Sequence, residues 1–252
     1  MRLQGKTALV TGSGSRGIGN AIVRGFAREG ADVVLQAHSH RDFADETAAE
    51  LRAAGRRAEV LVADFSEPAG ARALVREAIS AMGGIDILVN NAATITRGPV
   101  LEMSDETLAH MLNVNVRGYF ACAQEAALDM VARGVRGRIM MVSSPLQDVV
   151  IPGFAGYATS KGAVRQLARS LALELAPKGI TVNVIAPGTT LTDFNRKIFS
   201  DEAKRRSREE AIPMQRLGMP DDLVGAAVFL ASEEAAYMTG GCLLVDGGLS
   251  LA

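Results

Sequence analysis

The sequence places a tyrosine and a lysine where they could exchange a proton with a substrate oxygen. Tyr157 and Lys161 are four residues apart at the start of a predicted helix, so they share one of its faces. A phenol with a pKa of about 10 is a poor base at neutral pH, but a neighbouring ammonium lowers that pKa. Such a tyrosine can donate a proton to a ketone or accept one from an alcohol. Ser144 can donate a hydrogen bond to the same oxygen, and Ser143 is the alternative donor.

A glycine-rich turn near the N-terminus has the composition of a phosphate-binding loop. Residues 11–19 read TGSGSRGIG and lie between a predicted strand and a predicted helix. Glycines let the backbone approach a ligand closely, and the amides of a helix N-terminus face an anion. Gly12, Gly14 and Gly17 have the G-x-G-x-x-G spacing of dinucleotide-binding proteins. Ile18 stands where a P-loop has its lysine, so the turn predicts a dinucleotide rather than a nucleoside triphosphate.

The end of the second predicted strand favours NADP(H) as the cofactor. Folds that bind NAD usually place an acid about 20 residues after the glycine turn, against the ribose hydroxyls. Ala37 stands near that position, and no Asp or Glu replaces it. The missing carboxylate removes repulsion, and Arg16 or Arg41 could pair with a 2′-phosphate. The polar His38 would still tolerate the ribose of NAD, so NAD(H) remains the alternative.

Short aliphatic runs alternate with segments of helical periodicity along the chain. Strand alternating with helix predicts βαβ units and a parallel sheet, and runs that are nearly all apolar predict strands covered on both faces. The polar segment 189–220 breaks this pattern, and we expect it to form a lid at the carboxyl ends of the strands. The seven predicted strands are Thr7–Thr11, Asp32–Leu35, Ala58–Ala63, Ile85–Val89, Arg138–Val142, Thr181–Ile185 and Leu243–Val245.

Helix signals fall between these runs. Proline and glycine stop a long helical pattern that spans Ala158–Ala176, and another pattern spans Ala71–Met82. Ser104 precedes an apolar periodic segment and is the expected N-cap of a further helix.

Composition restricts the class of protein. The 252 residues carry a net charge of -1, with 22% charged and 48% apolar residues, which excludes a disordered chain and gives no support to nucleic acid as a partner. No apolar run reaches the length of about 18 residues that a membrane span needs.

Two cysteines, and a strand pattern that starts within ten residues, argue against secretion, so we expect a cytoplasmic protein. No linker divides residues 1–252, which predicts one domain. The three histidines lack partners at ligand spacing, so no metal is expected.

Taken together, these motifs resemble the short-chain dehydrogenase/reductase family from Lys6 to Gly248. The resemblance implies a single-domain α/β fold, a doubly wound, Rossmann-like, seven-stranded parallel sheet with helices on both faces. It also implies metal-free hydride transfer between a nicotinamide cofactor and a carbonyl or alcohol. The motifs occur in the family's order and at similar intervals: the glycine turn, Asp64, Asn90–Ala93, Asn115–Gly118, Ser144, Tyr157–Lys161, Pro187–Gly188 and Asp246–Gly248.

The resemblance implies a role for each residue of a catalytic tetrad. Tyr157 would be the general acid/base, and Ser144 would polarise the substrate oxygen. Lys161 would hold the nicotinamide ribose and lower the pKa of Tyr157. Asn115 would bend its helix and hold a water for proton relay to Lys161.

The cofactor contacts follow from the same resemblance. Asp64 and Phe65 match positions beside adenine, Asn91 and Ala92 match those beside the adjoining ribose, and the loop 188–192 matches the one over the nicotinamide carboxamide and pyrophosphate. The full expected set is Gly12, Ser15, Arg16, Gly17, Ile18, Gly19, His38, Asp64, Phe65, Asn91, Ala92, Tyr157, Lys161, Pro187, Gly188, Thr190 and Thr192.

Two departures from the family's pattern bear on this site. The glycine turn carries one inserted residue, which leaves open whether Gly14 or Ser15 meets the phosphates. The usual N-N-A-G motif ends in Ala93, which would be strained if that position needs a positive φ and neutral if it needs only a small side chain.

The main hypothesis is an NADPH-dependent ketoreductase similar to 3-oxoacyl-acyl-carrier-protein reductases. Its small-molecule substrate could be carried on acyl carrier protein or CoA, since Arg133, Arg136, Arg138 and Lys178 resemble a carrier-binding surface. The alternative is an NAD(P)-dependent sugar, polyol or steroid-type alcohol dehydrogenase. A nucleotide sensor on an inactive reductase fold is disfavoured, because a dead copy need not keep the tetrad. Many relatives are tetramers, which implies a homotetramer and leaves a dimer open.

Overall fold

Seven strands form one parallel sheet in the computed structural model, which describes residues 1–251. The strand order is β3-β2-β1-β4-β5-β6-β7, and every neighbouring pair is parallel. Each predicted strand is present, and the bounds shift by at most two residues at either end. The doubly wound α/β sheet predicted from the alternating pattern is therefore confirmed. The strands are β1 Thr7–Val10, β2 Asp32–Ala37, β3 Ala58–Val62, β4 Ile87–Asn90, β5 Arg138–Val142, β6 Thr181–Pro187 and β7 Cys242–Val245.

Helices fill the intervals between the strands. The two long helical patterns are confirmed with slightly earlier starts, and the side chain of Ser104 accepts a hydrogen bond from the Thr107 N–H as the N-cap of its helix. The helices are α1 Ile18–Arg28, α2 Asp42–Ala53, α3 Pro68–Met82, α4 Asp105–Leu112, α5 Gly118–Ala132, α6 Ala155–Leu175, α7 Arg196–Phe199, α8 Glu202–Glu210 and α9 Val224–Ala231. No helix within residues 1–251 is both long enough and apolar enough to cross a bilayer.

The strands are almost entirely apolar because each face of the sheet is buried against its own layer of helices. In β1, Ala8 and Val10 join the core cluster that contains residues of α1, α2 and α9. Leu9, between them, points the other way and joins the cluster built from α3, α5 and α6. Side chains alternate along a strand, so burial of both faces requires apolar residues at successive positions.

The strand order reverses between β1 and β4, and this reversal creates the place for a ligand. Chain connections from β1 run to β2 and β3 on one side of the sheet, whereas β4 to β7 extend the sheet on the other side. The two strands end level, since Val10 pairs with Val89. In an open parallel sheet, a crevice forms at the carboxyl ends of the strands at such a reversal.

Candidate active site

A cleft of about 1150 Å³ runs along the carboxyl ends of the strands. It joins the glycine turn after β1 to the Tyr157–Lys161 face of α6. All the cofactor and catalytic residues expected from the sequence line this cleft, except Gly19 and Asn115. One continuous cavity thus brings together motifs that are separated by more than 100 positions in the sequence.

The glycine turn accommodates its inserted residue by tying it to β2. The backbone N–H groups of Ser13 and Gly14 both donate to the carbonyl of Gln36, at 3.0 and 3.1 Å. A Cβ on Gly14 would lie 2.7 Å from the Cβ of Ala37, so only glycine fits. The N–H groups of Ser15 and Gly17 make no hydrogen bond to any of residues 1–251. These free amides at the N-terminus of α1 suit a phosphate, and the amide of Ser15, unlike that of Gly14, is available to one.

Close backbone approaches shape the cleft at two further glycines, which fits a dinucleotide lying against the main chain. A Cβ on Gly12 would lie 2.7 Å from the Cα of Ala92, and Gly12 has a φ of 63° that favours glycine. A Cβ on Gly188 would lie 2.6 Å from the Cα of Asp246. Gly19, which was expected to contact the cofactor, has a packing role in the structure. A Cβ there would meet the Nδ2 of Asn91 at 2.6 Å, so this glycine permits packing and does not line the cleft.

Hydrogen bonds from Asn91 hold the glycine turn in place. Its Nδ2 donates to the carbonyls of Thr11 and Gly12 at 2.9 and 3.0 Å. In return, the hydroxyl oxygen of Thr11 accepts from the backbone N–H groups of Asn91 and Ala92. Thr11 is thus a positioning residue that was not a candidate, although its place directly after β1 is a signal for one. Ala93 needs no positive φ, since Gln215 is the one non-glycine residue among 1–251 with that geometry, so the change from glycine is unstrained.

Of the two arginines that are candidates for a 2′-phosphate, the structure brings one to the cleft. Arg16 lines the cleft, and its guanidinium lies over the Phe43 ring, 4.6 Å from the ring centroid. Arg41, the other candidate for a 2′-phosphate, does not line the cleft, because its guanidinium binds both carboxylate oxygens of Asp45 at 2.7 and 2.9 Å. His38 lies beside the cleft with its Nε2 4.0 Å from a carboxylate oxygen of Asp64.

At the other end of the cleft, Lys161 lies beneath Tyr157. The lysine is only 1% exposed, and its Nζ donates to the carbonyl of Val142 at 2.8 Å. The Nζ is 5.6 Å from the centroid of the Tyr157 ring. The hydroxyl of Ser143 donates to the carbonyl of Lys161 at 3.2 Å, so Ser143 ties β5 to α6. The Ser144 hydroxyl oxygen, by contrast, accepts from the N–H of Leu146 at 3.2 Å, and the hydroxyl donates to no residue among 1–251. A hydroxyl hydrogen without an acceptor favours Ser144 over Ser143 as the residue that meets a substrate oxygen.

Burial governs the pKa values of the tyrosine and the lysine. Burial raises the pKa of Tyr157 to about 12, although the neighbouring Ser144 hydroxyl acts to lower it. Burial also lowers the pKa of Lys161 to about 7. Burial disfavours the charged form of both residues, and Lys161 is not among the causes that shift the pKa of Tyr157. The lowering of the Tyr157 pKa by Lys161 therefore stays a prediction.

Asn115 lies outside the cleft in an irregular turn. Residues Asn113–Arg117 form a π-helical turn between α4 and α5, which is the irregularity expected at this position. The Nδ2 of Asn115 donates to the carbonyl of Thr94 and to the hydroxyl of Ser160, at 2.9 and 3.0 Å, and its Oδ1 accepts from the Thr94 N–H at 2.8 Å. Both amide hydrogens are used within the protein, so the side chain braces α6 and leaves no hydrogen for a water.

Residues of the polar segment 189–220 line the cleft, and the segment is joined to the glycine turn where Asp193 accepts from the Arg16 N–H. It contains α7 and α8, and its Thr190 and Thr192 line the cleft as expected. The segment also brings Arg208 to the cleft, where its Nε donates to the hydroxyl of Thr189 at 2.7 Å. Arg97, in the loop after β4, lines the same region. Neither arginine was a candidate, because each lies outside the periodic elements and no motif marks it.

Two of the four basic residues compared with a carrier-binding surface are engaged within the fold. Arg133 pairs with Asp86 and Asp129 at 3.1 and 2.9 Å. Arg138 is 3% exposed and pairs with Glu233 at 3.0 Å. Such pairing reduces the positive field available to an acidic partner, so the structure gives no support to this surface as a docking site.

Known proteins resemble this chain over its whole length. The family model described as Enoyl-(Acyl carrier protein) reductase matches residues 12–250. Glucose 1-dehydrogenase 2 of Bacillus subtilis is 40% identical over 250 residues, covering 99% of this chain and 96% of the relative. 3beta-hydroxysteroid dehydrogenase 1 of Eggerthella lenta is 41% identical over 249 residues, covering 99% and 95%.

A solved structure extends the comparison to three dimensions. The gluconate 5-dehydrogenase of Burkholderia cenocepacia, in complex with NADP and tartrate, superposes with a TM-score of 0.92 at 39% identity, covering 100% of this chain and 97% of that one. The relatives named are dehydrogenases of sugars, a sugar acid and a steroid, which favours the alternative alcohol dehydrogenase over the thioester ketoreductase. The fold, the cleft and these matches place the chain in the short-chain dehydrogenase/reductase family of NAD(P)-dependent oxidoreductases that act on alcohol and carbonyl groups.

Proposed function

We propose that the protein is an NADP(H)-dependent dehydrogenase that oxidises a secondary alcohol of a sugar-, polyol- or steroid-type molecule and reduces the corresponding ketone. The named relatives support this substrate class, and the NADP bound to the gluconate 5-dehydrogenase supports the cofactor. The absence of an acid at Ala37 and the position of Arg16 support NADP(H) over NAD(H). Reduction of a 3-oxoacyl thioester is the less favoured reading.

The observation that carries the proposal is the single cleft with two chemically different ends. Free amides and Arg16 at one end suit the phosphates of a dinucleotide. Ser144, Tyr157 and Lys161 at the other end suit proton exchange with an oxygen. Lys161 would hold the nicotinamide ribose, and the loop 188–192 would lie over the nicotinamide. NADP(H), when bound, supplies or accepts the hydride.

The protein's residues would handle the proton and the substrate oxygen. In reduction, Tyr157 donates its phenolic proton to the carbonyl oxygen as negative charge develops there. Ser144 would donate a hydrogen bond to the same oxygen and so hold it beside Tyr157. In its protonated form, Lys161 would stabilise the negative phenolate that Tyr157 becomes when it gives up its proton. Oxidation of an alcohol reverses these proton transfers.

The segment 189–220 would act as a lid over the substrate. Its position along the cleft and its attachment to the glycine turn, between Asp193 and Arg16, support this role. Exclusion of water by such a lid strengthens electrostatic interactions at the reacting oxygen.

We also propose a homotetramer, supported by exposed apolar side chains on α5 and α6, among them Leu128 and Leu173. Light scattering of the purified protein measures its mass.

A substrate panel tests the proposed function. Purified protein is incubated with NADP⁺ and a set of sugars, polyols, sugar acids and hydroxysteroids, and in the reverse direction with NADPH and 3-oxoacyl thioesters. We expect NADPH formation with at least one alcohol and little consumption with thioesters. Rapid turnover of the thioesters with none of the alcohols would overturn the proposal. The same panel with NAD⁺ measures the cofactor preference.

A further inference from the structure

Two arginines that line the lid end of the cleft have no acidic partner. Arg97 lies in the loop that follows β4, and Arg208 lies in α8 of the lid. The ion pairs found among residues 1–251 include neither of them. Other arginines of α8 behave differently, since Arg205 and Arg206 pair with Glu209 and Glu210 on the solvent side.

Both side chains are held in place by groups that leave their charge uncompensated. The Arg97 guanidinium lies 4.6 Å from the centroid of the Phe154 ring, three residues before Tyr157. The Nε of Arg208 donates to the hydroxyl of Thr189, which follows Gly188 in the loop beside the cleft. The terminal nitrogens of both arginines make no hydrogen bond to any residue of the described chain. Arginine side chains that are held in place while their terminal N–H groups stay unbonded are typical of a binding site.

This end of the cleft carries positive charge without a nearby carboxylate. Burial lowers the pKa of Arg208, and the positive charge of Arg97 lowers it further. Lys161, the other cationic residue at the reacting end, is also positive when protonated. Asp64 is the one carboxylate among the described residues that line the cleft, and it lies at the opposite end beside His38. Two like charges brought together without a counter-charge are unfavourable, and an anion between them would relieve the repulsion.

We propose that Arg97 and Arg208 form an anion subsite that selects a substrate bearing a carboxylate or phosphate group as well as the reacting alcohol. Planar guanidinium groups bind both kinds of anion through paired hydrogen bonds. Phe154 and Thr189, which hold the two arginines, lie beside the elements that carry the reacting groups. Binding of the substrate's anionic group there would therefore position its reacting oxygen near Tyr157. The proposal rests on the proposed function for the reaction and adds the charge of the substrate.

Three probes with a common six-carbon skeleton separate charge from shape. Glucitol is neutral, gluconate carries a carboxylate, and glucitol 6-phosphate carries a phosphate. We expect wild-type protein with NADP⁺ to prefer one anionic probe over glucitol in kcat/KM. Arg97→Gln and Arg208→Gln should each reduce that preference ratio by about 10-fold or more. Arg97→Lys should retain part of it, because the charge remains while the planar fork is lost. Arg206→Gln is the matched control in α8, with the same loss of charge outside the cleft.

A binding measurement keeps this inference separate from the proposed function. Calorimetric titration of the three probes into the NADP⁺-saturated protein needs no turnover, so it applies even if the alcohols are not oxidised. Binding of an anionic probe that is weakened in both cleft variants and kept in Arg206→Gln supports the subsite. Equal affinity of the wild type for glucitol and both anions, or unchanged ratios in both variants, overturns it. The better-bound anion identifies the source of the charge as carboxylate or phosphate.

Discussion

Asp193 of the segment 189–220 and Arg16 of the glycine turn form a reciprocal pair of hydrogen bonds. The carboxylate of Asp193 accepts a hydrogen bond from the Arg16 N–H at 3.0 Å, and the Asp193 N–H donates to the Arg16 carbonyl at 3.0 Å. A segment proposed to cover the substrate is thereby attached to the loop proposed to hold the cofactor phosphates. The two parts of the cleft are thus mechanically connected.

Removal of the Asp193 carboxylate should therefore weaken the attachment of the lid. In Asp193→Ala, the lost hydrogen bond to a charged acceptor at an exposed position is worth about 1 kcal/mol, or about a 5-fold loss. We expect that loss in NADPH affinity and an increase in substrate KM. Fluorescence titration and steady-state kinetics measure the two effects. Glu210→Gln, in an exposed pair of α8, should change neither, and equal behaviour of the two variants would contradict the coupling.

Arg16 should determine the preference for the phosphorylated cofactor. Arg16→Gln removes the one guanidinium that lines the adenine end, so the ratio of NADH to NADPH dissociation constants should fall about 10-fold or more. Arg41→Gln is the matched control, because Arg41 is occupied by Asp45. Titrations at two salt concentrations should show a steeper dependence for NADPH than for NADH. A larger change of this ratio in Arg41→Gln than in Arg16→Gln would contradict the assignment of the 2′-phosphate to Arg16.

Substitution of the two serines that follow β5, Ser143 and Ser144, should affect different properties of the protein. Ser144→Ala should lower kcat by about 100-fold, because the hydrogen bond to the reacting oxygen is lost. Ser143→Ala should lower the free energy of unfolding by about 1 kcal/mol, since its hydroxyl donates to the carbonyl of Lys161. Urea unfolding and steady-state kinetics on both variants measure these quantities. A larger loss of kcat in Ser143→Ala would exchange their roles.

Buried Lys161 should make stability depend on pH. Its pKa is about 7 in the folded protein and 10.5 when unperturbed, so the unfolded chain binds more protons between these values. The free energy of unfolding should therefore gain a positive slope from this residue as the pH rises from about 7 to 10.5. The full slope is about 1.4 kcal/mol per pH unit.

A comparison with Lys161→Met isolates that slope. Urea unfolding of both proteins at intervals from neutral pH to about pH 9.5 gives the difference between their stabilities, in which the other titrating groups cancel. We expect the wild type to gain stability relative to the variant as the pH rises. A difference that stays constant over this range would mean that Lys161 keeps its ordinary pKa in the folded protein.

The sequence predicts the sheet well because its signals are local. Runs such as Arg138–Val142 are apolar enough to require burial on both faces, and the structure has a strand with the same bounds. The cleft is also predictable, since the motifs at Gly12, Ser144 and Tyr157 each follow a strand. Parallel strands bring their carboxyl ends to one edge of the sheet, so these motifs meet there.

The features that could not be predicted depend on which side chains pair with each other and on how deeply the elements pack. Arg41 looks like a phosphate ligand until Asp45 is seen to occupy it. The Lys161 pKa depends on how deeply α6 packs against β5, which no spacing reveals. Arg208 reaches the cleft because its helix folds back over the strands, and its neighbours Arg205 and Arg206 with the same composition do not.

Tyr157→Phe tests the central claim most directly. The variant lacks only the hydroxyl, so a phenyl ring still fills the site beside Lys161. With the best substrate of the panel, we predict a loss of kcat of about 100-fold or more, because the proton donor is gone. NADPH affinity, measured by nicotinamide fluorescence on the same sample, should stay within about 3-fold of the wild type. Full turnover by Tyr157→Phe with normal NADPH binding would contradict the account.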